Sequence, residues 1–450
     1  MNPQCRRSPH GGQATADDAF VPAATDGPPG YGGIAIVLLA LGVVLSSLAS
    51  RVLDGARLRT DSHGTSILVE SGNTGGLVGA GLMLLGTGCA GLAILTVRRT
   101  RPTVSTFAVA TAVLIAWWAV AVTLFQPSSL SGIEVVTVVC GAVLAFGALA
   151  APPTMRVVQC LDVLRDVTVV ALLLFAVLLP QLGQLPCRPD KCGVFGSLLT
   201  GFTVQENTAA SMVALFVPLI ASRPSMRRRV FSIAVATLLV LGTGSRTALA
   251  VLAVSVFYTW YSRRSERAGA TKPHVVWRVL PLVAFLASTA LFYVADPGTL
   301  TGRGLLYSAM RAQLDGIALV IGSGPQTMER AAFFLGGFTV AGEHGQAPHL
   351  LVMTGLIGWS LFALALMALV RASLWSPRRR IALGLAVAAA VQGLTEPAWM
   401  LEVRTPGFVS ALLAAGLMCA VRADERAASN PRWSAPDGSS PLPLAVRPWS

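Results

Sequence analysis

Residues 344–371 read HGQAPHLLVMTGLIGWSLFALALMALVR. Between His349 and Arg371 no Asp, Glu, Lys or Arg interrupts the apolar run. Its length suits a bilayer-crossing helix better than a buried helix of a soluble domain. Two of the chain's five histidines, His344 and His349, stand at its mouth. The same pattern recurs along all 450 residues, of which 54% are hydrophobic and 12% charged. A soluble domain carries about twice that charged fraction. The apolar residues fall in blocks rather than at amphipathic spacing. An all-α, polytopic integral membrane protein is expected, because only helices and closed barrels satisfy their backbones in lipid.

Twelve blocks qualify as spans: 33–53, 76–97, 103–125, 133–151, 157–179, 208–222, 229–243, 247–262, 276–294, 349–371, 380–397 and 406–421. Two of them, 208–222 and 229–243, are short for a membrane crossing. Charge placement tests the count. With the N-terminus inside, the cytoplasmic loops carry VRRTR (97–101), SRPSMRRR (222–229), YSRRSER (261–267) and SPRRR (376–380). APPTMR (151–156) is weaker, and QPSSLSGIE (126–134), on the other side, has no basic residue. Basic residues concentrate on the cytoplasmic side of membrane proteins, so both termini are expected to be cytoplasmic, in the cell membrane. These clusters account for the formal net charge of +13, which favours anionic headgroups without invoking nucleic acid. The tails 1–30 and 423–450 are rich in Pro, Gly, Ala, Ser and Asp and are expected to be disordered. The membrane domain covers 31–422. The first apolar block begins late and is long enough to span, so no cleavable leader is expected. No internal repeat of the kind found in inverted-repeat transporters is visible.

Of seven cysteines, Cys187 and Cys192 bracket RPDK in a loop assigned to the outer side. A short-range disulfide suits that oxidising compartment better than a metal pair, since no other Cys or His lies in the loop. The outer segment 295–348 exceeds fifty residues, and loops of that size are usually functional. Within it, Leu306, Met310, Leu314, Ile317 and Ile321 predict an amphipathic helix over 304–321, lying on the outer surface.

Three groups share this face: Arg246 in GTGSRTALA, Arg303 in LTGRGLLY, and His344 or His349. An arginine between two apolar segments needs an anionic partner. Snorkelling to headgroups, or pairing with Glu206, Glu134 or Glu396, would serve as well as a substrate. Asp162, Arg165 and Asp166, at i, i+3 and i+4 near the cytoplasmic start of the fifth span, read as a local ion-paired face. A proton relay would need them deeper in the membrane.

The run from His344 resembles the signature of the O-antigen ligase and polymerase family, approximately H-N-x-Y-L-x-x-L-x-E-x-G-L-I-G entering a membrane helix. Aligned without gaps, His344 takes the family histidine and TGLIGWSLFALAL (354–366) its Gly-rich helix, with Gly355 in the pattern. The chain departs from it at Gly345, where Asn is usual, and at Met353, where Glu is common. A gap would place His349 on the histidine instead. Three further segments are similar and in order. GFTVQENTAASMVALFVPL (201–219) carries Asn207, and GTGSRTALAVLAVSVF (242–257) carries Arg246. LTGRGLLYSAMRAQLDGIALVIGSGPQTM (300–328) carries Arg303, Tyr307 and the Gly322-to-Pro325 turn with Gly324. The resemblance covers about residues 200–370; the first five spans share only hydropathy with such proteins.

The resemblance implies a glycosyltransferase that moves a glycan from a polyprenyl diphosphate carrier to an acceptor hydroxyl on the outer face, for envelope polysaccharide ligation or polymerisation. Arg246 and Arg303 would bind the diphosphate and stabilise its growing negative charge. His344, with His349 as runner-up, would take the acceptor's proton. A single displacement would invert the anomeric centre. The first outer loop (54–75) holds Asp54, Asp61 and Glu70 but no adjacent acidic pair. No cofactor and no metal are expected, with arginines in place of a divalent cation. The chain has no P-loop and no cytoplasmic nucleotide-binding domain. A transporter or flippase for an anionic, lipid-linked or sugar substrate, using the same arginines, is the alternative. A scaffold without chemistry leaves the four motifs unexplained.

Overall fold

The computed structural model describes residues 30–54, 56–60, 66–70, 73–96, 104–125, 132–188, 191–203, 205–223, 225–270, 272–297, 303–324, 345–372, 376–399, 401, 403 and 405–419. The two tails therefore lie outside the described residues. Helices dominate. The first half of the chain builds α1 (Tyr31–Leu53), α2 (Thr74–Thr96), α3 (Thr106–Phe125), α4 (Gly132–Ala150), α5 (Met155–Leu178) and the one-turn α6 (Pro180–Gly183). The second half builds α7 (Glu206–Ala214), α8 (Met226–Thr243), α9 (Arg246–Arg267), α10 (Val275–Val294), α11 (Arg303–Arg311), α12 (Gly316–Ile321), α13 (Gln346–Arg371), α14 (Pro377–Gly393) and α15 (Pro406–Met418). Two small antiparallel ladders complete the fold, β1 (Ala56–Thr60) with β2 (Ser66–Glu70) and β3 (Gln184–Leu185) with β4 (Leu198–Leu199).

Five helices, α1, α2, α3, α10 and α13, are long and apolar enough to cross a membrane. The surface of the helical bundle inverts the soluble pattern. Leu84, Leu85, Leu95, Val177, Leu178 and Val294 are all exposed, while Ser255, Thr243, Thr354 and Ser410 are buried. Water would not tolerate so many contiguous apolar faces; the arrangement is compatible with a multi-pass membrane protein. Helices there associate through small residues that let backbones approach. Gly147 shows this: a Cβ on it would stand 2.4 Å from the Cβ of Ala90, so α2 and α4 meet with no room for a larger residue.

Two expectations are corrected by local chemistry. The segment 208–222 is not one α-helix: α7 ends at Ala214 and a 3₁₀ helix, Val217–Ser222, follows. Pro218 has no N–H to continue the α-helical ladder, and the tighter turn absorbs it. The single amphipathic helix over 304–321 is two helices, parted at 312–315, with Gly316 at φ +50°. Nor does this segment rest on the surface alone. Leu306, Tyr307 and Met310 of α11 are buried in a cluster with Phe292, Leu351 and Val352. Arg311 ties the same helix down by donating to the carbonyl oxygens of Phe292 and Ala295 at the end of α10.

The chain after α12 docks against a break in α13. Gly355 departs from helical geometry at φ +64°, which frees neighbouring carbonyls from the usual ladder. Val352 O accepts instead from Ser323 N at 2.7 Å and Gly324 N at 3.0 Å, and Thr354 O accepts from Trp117 Nε1 at 3.0 Å. Irregular backbone at membrane depth survives only where protein satisfies it in this way. The fit is close: a Cβ on Gly355 would lie 2.3 Å from Val320 O, and one on Gly322 2.7 Å from the Met353 carbonyl. Replacing Gly355 with alanine is therefore expected to cost about 3 kcal/mol, combining left-handed strain with overpacking. Thermal unfolding of the detergent-purified variant reads this directly, and an unchanged midpoint would contradict it.

Candidate functional site

The turn GTGSR joins α8 to α9. Gly244 adopts φ +65°, which ends α8 in a left-handed cap, and Ser245 then caps α9 by accepting from Ala248 N at 3.4 Å. Arg246 is thereby the first residue of α9 and is exposed, at a helix N-terminus that itself favours anions. The next residue, Thr247, shares a hydrogen bond of 2.8 Å with Thr395, in the connection between α14 and α15.

A disulfide joins Cys187 and Cys192 and closes a loop against this turn. Inside it, Arg188 N donates to Lys191 O at 2.9 Å and Lys191 N to Arg188 O at 3.1 Å. The loop sits directly on the α8–α9 turn. Val194 N donates to Leu241 O at 3.3 Å, and a Cβ on Gly244 would meet Cys192 O at 3.0 Å. Both basic side chains point to one carboxylate. Arg188 and Lys191 (2.9 Å) bond Glu206 Oε1, and Lys191 Nζ also donates to Asn207 Oδ1 at 2.7 Å. Glu206, the first residue of α7, is buried. Burial, foremost, pushes the Lys191 ammonium below its ordinary pKa against the opposing pull of Glu206, and the charge of Glu396 also reaches it.

The connection 395–399 carries the site across to α13. Gln346, the first residue of α13, is buried and bonded through both its amide oxygen and its amide nitrogen. Its Oε1 accepts from Ala398 N at 3.0 Å and Trp399 N at 2.9 Å, and its Nε2 donates to Trp399 O at 3.0 Å. Trp399 is wedged between Phe107 of α3 and Phe362 of α13, at centroid separations of 6.1 and 5.9 Å. Gly345, just before, takes φ +96°, and a Cβ there would lie 3.4 Å from the hydroxyl of Tyr307 and 3.0 Å from Ser288 Oγ. Tyr307 packs edge-on against Phe292 and is 1% exposed.

A continuous series of contacts thus links Asn207, Lys191, the Arg246 turn, the 395–399 connection, the mouth of α13 and Tyr307, all at one end of the bundle. Arg303 opens α11 one turn before Tyr307, but its side chain lies outside the described residues. His344 lies outside them too, adjacent to Gly345. His349 is within α13 and 0% exposed. Gly324 and Gly355 belong to the interlock described above rather than to this surface. Sequence reasoning passed over Arg188, Lys191, Gln346 and Thr395. One signal was present: Lys191 is one of two lysines in a chain that otherwise uses arginine, and it lies inside the cysteine loop.

Asp162, Arg165 and Asp166 stand apart, near the start of α5 and away from this end. They form more than a local pair. Arg165 bonds Asp162 at 2.9 Å and Asp166 at 2.6 Å, and Arg223 bonds both carboxylates. Arg165 also donates to Phe216 O at 3.1 Å and Ser232 Oγ at 2.6 Å, joining α5 to the 3₁₀ segment and α8. Asp162 and Arg165 are buried. Other arginines at this end serve as caps: Arg263 donates to Ala221 O and Arg223 O, and Arg380 to Ser262 O and Ala270 O. Among the described residues, no group of three or more His, Cys, Asp or Glu side chains could hold a metal ion. Comparison of the chain with protein-family models and with curated proteins finds no match.

Proposed function

We propose that the protein is a polytopic glycosyltransferase of the cell membrane, with about twelve spans and both termini cytoplasmic. It would transfer a glycan from a polyprenyl diphosphate carrier to an acceptor hydroxyl at the outer face, as an envelope polysaccharide ligase or polymerase. The observation that carries this reading is the convergence of four sequence-distant segments on one end of the bundle. Asn207, Arg246, the backbone of Arg303 with Tyr307, and the mouth of α13 are joined there through the disulfide loop and the 395–399 connection. The arginine-rich connections 222–229, 261–267 and 376–380 meet at the other end, and the bias of basic residues toward the cytoplasm supports reading the convergent end as the outer one.

The chemistry follows from the charges. Cleaving the bond between an anomeric carbon and a diphosphate puts negative charge on the leaving oxygens. Arg246, exposed at a helix N-terminus, would receive it, with Arg303 as the second arginine by motif order. The acceptor hydroxyl loses a proton as it attacks, and an imidazole titrates in the range needed. His349 is buried within α13, which favours His344 as the base. Gly345 departs from the resemblance: at φ 96° and ψ 149° it holds a backbone region open essentially to glycine alone, where the family's usual Asn would be strained.

The test is product analysis. Purified protein in liposomes, given a polyprenyl-diphosphate glycan and candidate acceptors, is expected to release polyprenyl diphosphate and to elongate or glycosylate the acceptor, with EDTA leaving turnover unchanged. Translocation of the intact lipid without release would identify a carrier and overturn the reading. Loss of turnover restored by Mg²⁺ or Mn²⁺ would overturn the assignment of charge stabilisation to the arginines.

A further inference from the structure

Glu206 has two cations where one would neutralise it. Arg188 and Lys191 both bond the same oxygen, Oε1, and Lys191 reaches Asn207 as well. Arg188 alone would keep this buried carboxylate paired if Lys191 turned away. Lysine suits such a role: its charge sits at the end of a four-carbon flexible stem, whereas the planar arginine fork is held by geometry. Arg188 and Lys191 meet on Glu206, and the charge of Glu396 also reaches Lys191. The loop bearing Lys191 touches the turn bearing Arg246, through Cys192 O on Gly244 and Val194 N on Leu241 O. The loop keeps this register because Cys187 and Cys192 are joined across it.

We propose that Lys191 is a phosphate-binding residue of the Arg246 site, held on Glu206 and Asn207 while the site is empty and released to the donor's diphosphate when it arrives, with the Cys187–Cys192 bond keeping it within reach. This rests on the reading of Arg246 as a diphosphate ligand. The exchange conserves charge: Glu206 retains Arg188, and the lysine trades a carboxylate and an amide for phosphate oxygens. The disulfide is then a positioning element of the donor site. Reduction should disable binding without dismantling the bundle, whose helices pack without it.

Inorganic pyrophosphate is the probe, with the full-length protein in nanodiscs and calorimetry as the readout. Lys191→Met is expected to bind about tenfold more weakly, the loss of one charge-assisted hydrogen bond, and Lys191→Arg to stay within about threefold. Glu206→Gln frees the lysine and should tighten binding by about threefold, which a merely structural pair would not do. Lys191→Met leaves Glu206 paired with Arg188, so its weak binding is read on a folded protein. Dithiothreitol, or Cys187→Ser with Cys192→Ser, should match Lys191→Met. Equal affinity of wild type and Lys191→Met, with Arg246→Ala weakened, would overturn this proposal and leave the Arg246 reading standing. Loss of binding in Lys191→Met but not in Arg246→Ala would uphold the lysine site and remove Arg246 from it. No pyrophosphate binding to the wild type would overturn both.

Discussion

Replacing Arg246 with alanine is expected to slow release of polyprenyl diphosphate by about a hundred- to a thousandfold, the size of effect seen when one preorganised donor to a developing oxyanion is removed. The residue suits a clean test. It is exposed, it follows the Ser245 cap rather than forming it, and Ser245 keeps its bond from Ala248 N without the guanidinium. The fold should therefore survive, with an unfolding midpoint close to wild type. Arg246→Lys retains the charge but not the bidentate fork, and should recover part of the rate. His344→Ala belongs to the same series and should lose the proton acceptor while donor binding persists. If Arg246→Ala and His344→Ala both turn over normally in liposomes, the site has been misassigned.

The largest stability effect is expected at the opposite end of the bundle. Arg165→Met should destabilise the protein by about 3–5 kcal/mol, because it breaks a buried ionic group by removing one member. The native group is balanced, with Arg165 and Arg223 against Asp162 and Asp166. Without Arg165, two carboxylates share Arg223, and Phe216 O and Ser232 Oγ each lose a donor. The compensated variant Arg165→Met with Asp162→Leu removes one charge of each sign and should recover most of the loss, since a buried pair replaced by apolar residues is often neutral. Unfolding midpoints of the wild type, the single and the compensated variant decide the matter. A compensated variant as unstable as the single one would mean that Arg165 acts through its neutral hydrogen bonds rather than through charge.

The helices were largely legible from apolar blocks and their breakers, because most blocks are long and are bounded by Arg, Pro or Gly. A helical element lies at every one of the twelve segments. The errors came where short-range signals compete. Pro218 shortens α7 into a 3₁₀ turn, and Gly316 splits what periodicity reads as one amphipathic helix. Apolar spacing over 304–321 was real: in α11 it reports burial against α10 and α13, whereas in α12 Ile317 stays exposed. The site was legible in part. Arg246 and Tyr307 could be named from motif order, whereas Gln346, Thr395 and Lys191 matter through partners 52, 148 and 15 residues away. Pairings of that range are set by helix packing, and no local pattern encodes them.

The break at Gly355 also bears on how the chain is built. The three donors that cover the carbonyls of Val352 and Thr354 are Trp117, Ser323 and Gly324, and all precede α13 in the chain. Ribosomal synthesis therefore delivers these partners before the kinked helix emerges, so its open backbone groups need never face lipid unattended while the nascent protein integrates.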